Sequence, residues 1–268
     1  MRVLAINDLS FVGKCSLSVA LPVISACGVT CDVLPTALLS THTGGFEGYT
    51  FRDLTEDFPA VLQHWKSLTL KFDFIYSGYL GSERQIDTVL FLKQEFLAEN
   101  GKLVVDPVMG DEGKLYAGFT DSFVQKMKEL CKAADYILPN RTEACLLTDT
   151  PYPSNGYTLA EKLQSICKQS IATGIEEDGE IAVYYAGEEC KRYAAKTTQG
   201  FFCGAGDLFA SAFVGALANG KTSQEALPLC LSFVTGAIER SAKEVEDKRF
   251  GLSFEKELLP FIKKLYGE

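Results

Sequence analysis

Histidine and tryptophan are nearly absent from this chain, with two and one among 268 residues. So few histidines leave little from which to build a zinc site. The nine cysteines do not supply one either, because the closest pair, Cys27 and Cys31, has no histidine neighbour. Clustered positive charge is missing as well: no run of Lys or Arg exceeds a pair, and the formal net charge is −9. With a pI near 4.9 the chain lacks the footprint of a protein that grips nucleic acid or an anionic membrane. There is no long apolar run. The longest uncharged stretch, Cys15 to Cys31, is broken by Pro22, Gly28 and several serines, and falls short of the roughly 20 apolar residues of a membrane helix. The apolar stretch at Met1–Ile6 is too short for a signal peptide, so the expectation is a cytoplasmic protein with reduced thiols.

What is present is an ordinary globular composition, 47% hydrophobic and 23% charged. Strand-like runs alternate with helical patterns. Arg2–Ile6, Val33–Ser40, Phe72–Tyr76, Leu103–Val105 and Tyr136–Leu138 read as strands. Between them, Leu17–Ala26, Thr55–Ser67, Ser82 to about Glu99 and Asp121–Lys132 read as helices. Ser82–Gln85 and Thr158–Glu161 have the form of capping boxes, the second opening a helix to about Lys168. Ser170–Thr173, Ile181–Tyr185 and Lys191–Ala194 read as strands, with Glu176–Gly179 as a hairpin turn. Asp207–Asn219, Thr222–Glu246 and Ser253–Tyr266 close the chain as helices. Such alternation predicts an α/β fold: a mostly parallel central sheet with helices on both faces and an antiparallel later portion. The loop Thr150–Gly156 is too short for a linker, so one domain over residues 1–268 is expected.

The richest stretch is Phe202-Cys203-Gly204-Ala205-Gly206-Asp207, followed by an apolar ladder at Leu208/Phe209, Ala212/Phe213 and Ala216/Leu217. A small-residue turn at a helix start aims unpaired N–H groups at one point, where the helix dipole adds positive charge. That is a place for a phosphate. Asp207 is either a first-turn acid complementing the dipole or a carboxylate that takes a proton from a hydroxyl beside that phosphate.

Gly215 to Thr222 matches the P-loop pattern letter for letter. A true P-loop follows a strand. Here Gly215 lies inside a helical ladder, Gly220 sits at a helix C-terminus, and Thr222 with Glu225 forms a capping box, so this match is a turn between helices.

Other polar stations follow strands, and in parallel sheets ligands bind beyond the carboxyl ends of strands. Asp106 and Asp111 follow Leu103–Val105. Asp106 suits a magnesium ion, or else caps a turn. Asn140 and Glu143 follow Tyr136–Leu138. They are either helix caps, or a phosphate donor and a partner for the metal. Ile6–Gly13, Ser40–Phe46 and Ser77–Gly81 read as loops at one sheet edge, offering hydroxyls, a carboxylate, an imidazole and an aromatic ring to a small polar aromatic substrate. His42 reads as a positioning or packing residue rather than a base, and Trp65 as core or interface.

With these stations in order, the chain resembles the ribokinase-like superfamily and, within it, the pyridoxal kinase family, from about Arg2 to about Ala242. Gly204–Asp207 is similar to the superfamily's Gly-Thr-Gly-Asp. Asp106-Pro107-Val108-Met109-Gly110-Asp111 resembles the Asp-Pro-Val-Leu/Met-Gly-Asp of vitamin B6 kinases. Pro139–Glu143 resembles Thr-Pro-Asn-x-x-Glu, Ser40–Gly44 resembles Ser-Asn-His-Thr-Gly, and Ser77–Tyr79 resembles Thr-Gly-Tyr. The resemblance implies a ribokinase-like three-layer sandwich and transfer of a phosphoryl group from ATP to the 5′-hydroxymethyl of a B6 vitamer. Asp207 would be the general base, with Gly204, Ala205 and Gly206 as the anion hole. Asp106 and Glu143 would organise Mg²⁺. Asp111, Tyr116, Asn140 and Thr173 would lie along the nucleotide, and Asp8, Ser10, Thr43 and Tyr79 along the pyridine ring. Asp111–Tyr116 would be a flap, a monovalent cation is a further possible cofactor, and a homodimer is implied.

Three departures stand out. Ala205 replaces the usual Thr, Leu138 replaces the Thr before Pro-Asn, and the loop Asp8–Gly13 is shorter than in animal pyridoxal kinases, somewhat like the Asp-Pro-Ser-Gly-Gly of hydroxymethylpyrimidine kinases. The alternatives are therefore a hydroxymethylpyrimidine kinase of thiamine synthesis, or a B6-binding paralogue without catalysis.

Overall fold

A computed structural model describes residues 1–187, 189–196 and 202–268. The chain runs β1 (Arg2–Val12), α1 (Leu17–Ala26), β2 (Thr30–Thr41), β3 (Phe51–Asp53), α2 (Phe58–Ser67), β4 (Phe72–Ser77), α3 (Glu83–Phe96) and β5 (Leu97–Val105). A small hairpin follows, β6 (Gly110–Asp111) and β7 (Lys114–Leu115), then α4 (Asp121–Ala133), β8 (Tyr136–Ile137), α5 (Arg141–Leu147) and α6 (Gly156–Leu163). The last elements are β9 (Ser170–Glu177), β10 (Glu180–Ala186), β11 (Cys190–Lys196), α7 (Ala205–Ala218), α8 (Ser223–Glu244) and α9 (Glu255–Tyr266).

Nine strands form one sheet in the order β11-β10-β9-β8-β5-β4-β1-β2-β3. The six strands from β9 to β2 are parallel, and β10, β11 and β3 add antiparallel edges. Parallel strands covered on both faces read as continuous apolar runs, and Val3–Ile6 and Leu103–Val105 are fully buried accordingly. One face packs against α1, α7, α8 and α9 through residues such as Val23, Phe213, Phe233 and Phe261. The other packs against α2 to α6 through Phe58, Ile86, Met127, Ala144 and Leu159. The three-layer α/β sandwich expected from the alternation is what the chain forms.

Several local readings change. The segment after Ile6 is not a loop: β1 continues to Val12, so Asp8 and Ser10 stand on a strand that outruns its neighbour β4. Ser82 does cap α3, but the Gln85 side chain accepts from the Gly81 amide (2.7 Å) and donates to Thr36 (3.0 Å) and Thr55 (2.9 Å), so no reciprocal box forms. That helix stops at Phe96 rather than Glu99, where the chain turns extended. Asn155, not Thr158, caps α6, accepting from the Thr158 amide at 2.9 Å, and the helix ends at Leu163. The exposed three-residue β3 was not foreseen. Trp65 lies edge-on to Phe72 and Phe96, as a core residue does.

The P-loop match is a turn between helices. Gly215 lies in α7, where an added Cβ would come 2.5 Å from the Cys27 Sγ, and Gly220 ends the helix at φ +80°. Thr222 and Glu225 form a full capping box on α8. No helix among the described residues is long and apolar enough to cross a membrane. Lys221→Ala is therefore expected to leave both the melting temperature and the KM for any nucleotide substrate unchanged. A large rise in that KM would overturn the assignment.

Candidate active site

The parallel strands β1, β4, β5 and β8 end on one edge, and the first turn of α7 faces them. Gly204 is the N-cap of α7 in the left-handed conformation (φ +79°), with no side-chain cap on the helix start. A Cβ there would sit 2.2 Å from the Lys14 carbonyl oxygen, so only glycine lets the turn lie against the end of β1. At Gly206 an added Cβ would meet nothing within 4 Å. No side chain caps the start of this 14-residue helix and Gly206 is exposed there, so its first amides stand at the positive end of the helix dipole. Ala205 presents its N–H as the expected Thr would; only the hydroxyl is missing.

Asp207 stands in that first turn, its carboxylate accepting from the Asn7 Nδ2 at 3.2 Å. Burial raises its pKa to about 6, Asp8 pushes in the same direction, and hydrogen bonds from the Ser16 amide and Asn7 oppose them. Ser16 supplies its amide from a left-handed backbone (φ 52°), a strained geometry for a non-glycine residue. Its hydroxyl donates to Asp8 Oδ1, while the Ser10 hydroxyl donates to Asp8 Oδ2 at 3.3 Å. Asp8 is buried, which raises its pKa.

Asp106 and Glu143 come together behind Asp207. Burial raises the Asp106 pKa strongly, and the charges of Glu143 and Asp207 add to it. Burial also raises Glu143, against the backbone amides of Asn140 (2.9 Å) and Met109 (3.0 Å) that its two oxygens accept. Asn140 returns a bond to the Glu143 amide (2.9 Å) and donates to the Gly110 carbonyl (2.8 Å). Both side chains are therefore engaged as the capping box of α5 and as anchors of the β6–β7 hairpin. No Lys or Arg appears among the groups acting on Asp106, Glu143 or Asp207. Two neighbouring buried carboxyls, Asp106 and Glu143, suit a divalent ion. No set of three or more metal-ligating side chains occurs among the described residues, so such an ion would take one or two carboxylates and fill its shell from water and phosphate oxygens.

The hairpin turns at Glu112 (φ 49°) and Gly113 (φ 79°), the two-residue turn that matches strand twist. Thr142 accepts the Gly113 amide at 2.8 Å, and Tyr116 continues from the hairpin with its amide on the Met109 carbonyl at 3.0 Å. Burial raises the pKa values of Asp111 and Tyr116. The Thr173 amide donates to the Pro139 carbonyl at 2.8 Å, placing this residue of β9 beside Asn140.

On the opposite side, Tyr79 stacks obliquely near Phe119, 5.9 Å between centroids, and burial pushes its pKa up to about 12. Thr43 is exposed on the loop after β2. His42 has both ring nitrogens engaged: Nδ1 accepts the Gly44 amide (3.1 Å), which leaves Nε2–H to donate to the Arg249 carbonyl (2.6 Å). It is a clamp between the loop and the C-terminal segment, not a free base. Asn7 was overlooked in the sequence. Its signal was a lone amide closing an apolar strand, and it is fully buried.

The phosphomethylpyrimidine kinase family profile matches residues 20–251. Pyridoxal kinase from Lactobacillus plantarum is 35% identical, with a TM-score of 0.91 over 99% of this chain and 97% of that one. A Bacteroides thetaiotaomicron protein assigned as a phosphomethylpyrimidine kinase and crystallised with pyridoxal is 34% identical, TM-score 0.91, over 97% and 95%. Pyridoxal kinase from Leishmania donovani in complex with ADP and pyridoxamine, 18% identical, shares the fold at a TM-score of 0.84 over 99% and 95%. Two matches to curated pyridoxal kinases are shorter: the chain spans 27% of one from Dictyostelium discoideum, at 38% identity over 30% of its own length. It spans 48% of one from Arabidopsis thaliana, at 31% identity over 55% of its own length.

The raised carboxyl of Asp207 has a stability consequence. A proton is held more tightly in the folded chain, so stability falls as pH climbs from the ordinary 3.8 to about 6 and stays lost above. Asp207→Asn is expected to raise the melting temperature at pH 7.5, with the gap closing below about pH 4. An unchanged or lowered melting temperature at pH 7.5 would contradict the raised carboxyl.

Proposed function

Because the chain belongs to the pyridoxal kinase family of the ribokinase-like superfamily, we propose that it transfers the γ-phosphoryl group of ATP to the 5′-hydroxymethyl of pyridoxal, pyridoxine or pyridoxamine. The observation that carries this reading is Asp207. A carboxyl poised at about 6 sits in the first turn of a helix whose leading amides have no side-chain cap. General-base catalysis works best with a pKa near the working pH, and Asp207 ionised at neutrality can accept the hydroxymethyl proton. The amides of Ala205 and Gly206, in the turn that Gly204 allows, take the charge that gathers on the transferring phosphoryl oxygens.

Asp106 and Glu143 would hold Mg²⁺, which supplies charge neutralisation to the ATP phosphates. Glu143 would act in part through the amides it already fixes. Asp111 and Tyr116, on the hairpin, and Thr173, on β9, would lie along the nucleotide. Asn140 would lie along the nucleotide as well, one N–H of its side chain holding the Gly110 carbonyl of the hairpin and the other left to donate. The pyridine ring would lie among Asp8, Ser10, Thr43 and Tyr79. Closure of the hairpin over the phosphates would exclude water. One kinase domain over residues 1–268, a homodimer and a cytoplasmic location belong to the same reading. Leu138, with no hydroxyl, weakens the case for a monovalent-cation contact there.

A second reading is the same transfer to hydroxymethylpyrimidine, favoured by the matching family profile and by the short first loop. The test is a steady-state assay with Mg-ATP and each of pyridoxal, pyridoxine, pyridoxamine and hydroxymethylpyrimidine. Turnover with a B6 vitamer is expected, with an acid limb in kcat/KM near pH 6. Activity on hydroxymethylpyrimidine alone would establish the second reading. Binding without turnover would establish a non-catalytic paralogue.

Two substitutions sharpen this. Asp207→Asn is expected to lower kcat by roughly 10²–10⁴-fold while sparing ATP binding. Ala205→Thr adds at most one neutral hydrogen bond, worth about 0.5–1.5 kcal/mol, so its rate should lie within roughly tenfold of the parent. A far larger gain would mean that the alanine had disabled the anion hole.

A further inference from the structure

We infer that Asn7 is a positioning residue that sets the Asp207 carboxylate for proton acceptance, and that Gly78 is glycine in order to leave Asn7 room to do so. The inference rests on the reading of Asp207 as the base. Asn7 is fully buried at the point where β1 passes the end of β4. Its Oδ1 accepts two backbone amides, that of Asp8 at 3.0 Å and that of Tyr79 at 2.8 Å. Those two donors fix which way the amide faces, because turning it over would set its NH₂ against two N–H groups. With the oxygen so held, Nδ2 points at Asp207 Oδ1, 3.2 Å away.

One amide thus joins the base to the backbone of two residues placed along the substrate ring. The bond favours the ionised form of Asp207 that can take a proton. Gly78 completes the geometry. An added Cβ there would lie 2.1 Å from Asn7 Nδ2 and 2.6 Å from its Cγ. Gly78 does not have positive φ, so its constraint is space around this amide and not backbone conformation.

The test uses the full chain with Mg-ATP and whichever vitamer it turns over. Asn7→Asp keeps an oxygen for both backbone donors but sets an acceptor against Asp207. It is expected to lower kcat by about 10–100-fold, the worth of one hydrogen bond to a charged group, with KM for ATP within about threefold. Gly78→Ala should reproduce that loss with Asn7 in place, and it carries the test alone if Asn7→Asp does not fold. Adding Gly78→Ala to Asn7→Ala should cost nothing more, since both act through one contact. A folded Asn7→Asp protein with kcat within threefold of the parent, or fully additive losses in the double variant, would overturn the inference while leaving Asp207 as the base. A parent protein inert with every vitamer would instead remove the reading of Asp207 on which the inference stands.

Discussion

Negative charge held without a protein counter-charge governs this molecule. Asp207, Asp106 and Glu143 gather where the parallel strands end, and burial pushes all three carboxyls towards protonation, with Glu143 and Asp207 adding to it at Asp106, Asp111 at Glu143 and Asp8 at Asp207. In a purely structural protein such a cluster would be neutralised by Lys or Arg, or replaced by apolar residues. Here the folded chain holds it with amides instead: those of Asn140 and Met109 on Glu143, and the side chain of Asn7 on Asp207. Amides stabilise without cancelling the charge. The site therefore retains an appetite for a cation and stays poised to accept a proton, and both are what a phosphoryl-transfer centre needs.

The rest of the fold reads as support for that edge. Parallel strands of unequal length bring polar residues to one rim, and helices on both faces make the sheet stiff enough to hold them. β1 does the most, because it runs past β4 and carries Asn7, Asp8 and Ser10 beyond the parallel core. The hairpin of β6 and β7 is tied at its base through Asn140 and Met109 and at its turn through Thr142, which accepts the Gly113 amide, while Glu112 and Gly113 stay exposed.

The layered fold was legible because its signals are periodic. Apolar runs of four or five residues alternating with amphipathic segments admit few other architectures; the strand ends marked Asp106 and Glu143, and the small-residue turn at a helix start marked Asp207. What escaped was aperiodic. β3 is three exposed residues held only by pairing to β2, and nothing in Phe51–Asp53 announces that partner. Asn155 lost out to Thr158 as a cap because both carry a capping side chain and only the packing of α6 chooses between them. The role of Asn7 could not be read from neighbours in sequence, since its partners are Tyr79 and Asp207.

The Lys14 carbonyl shows when such a site can exist. Gly204 and Gly251 both approach it so closely that a Cβ on either would come within 2.6 Å, and the Lys14 amide donates to Phe250 at 3.0 Å. The backbone of one residue is thus the meeting point for the turn before α7 and for the Phe250–Gly251 segment. Stretches more than two hundred residues apart in sequence therefore seat the turn before α7 together, so its shape is a property of long-range closure of the chain and not of the local helix start alone.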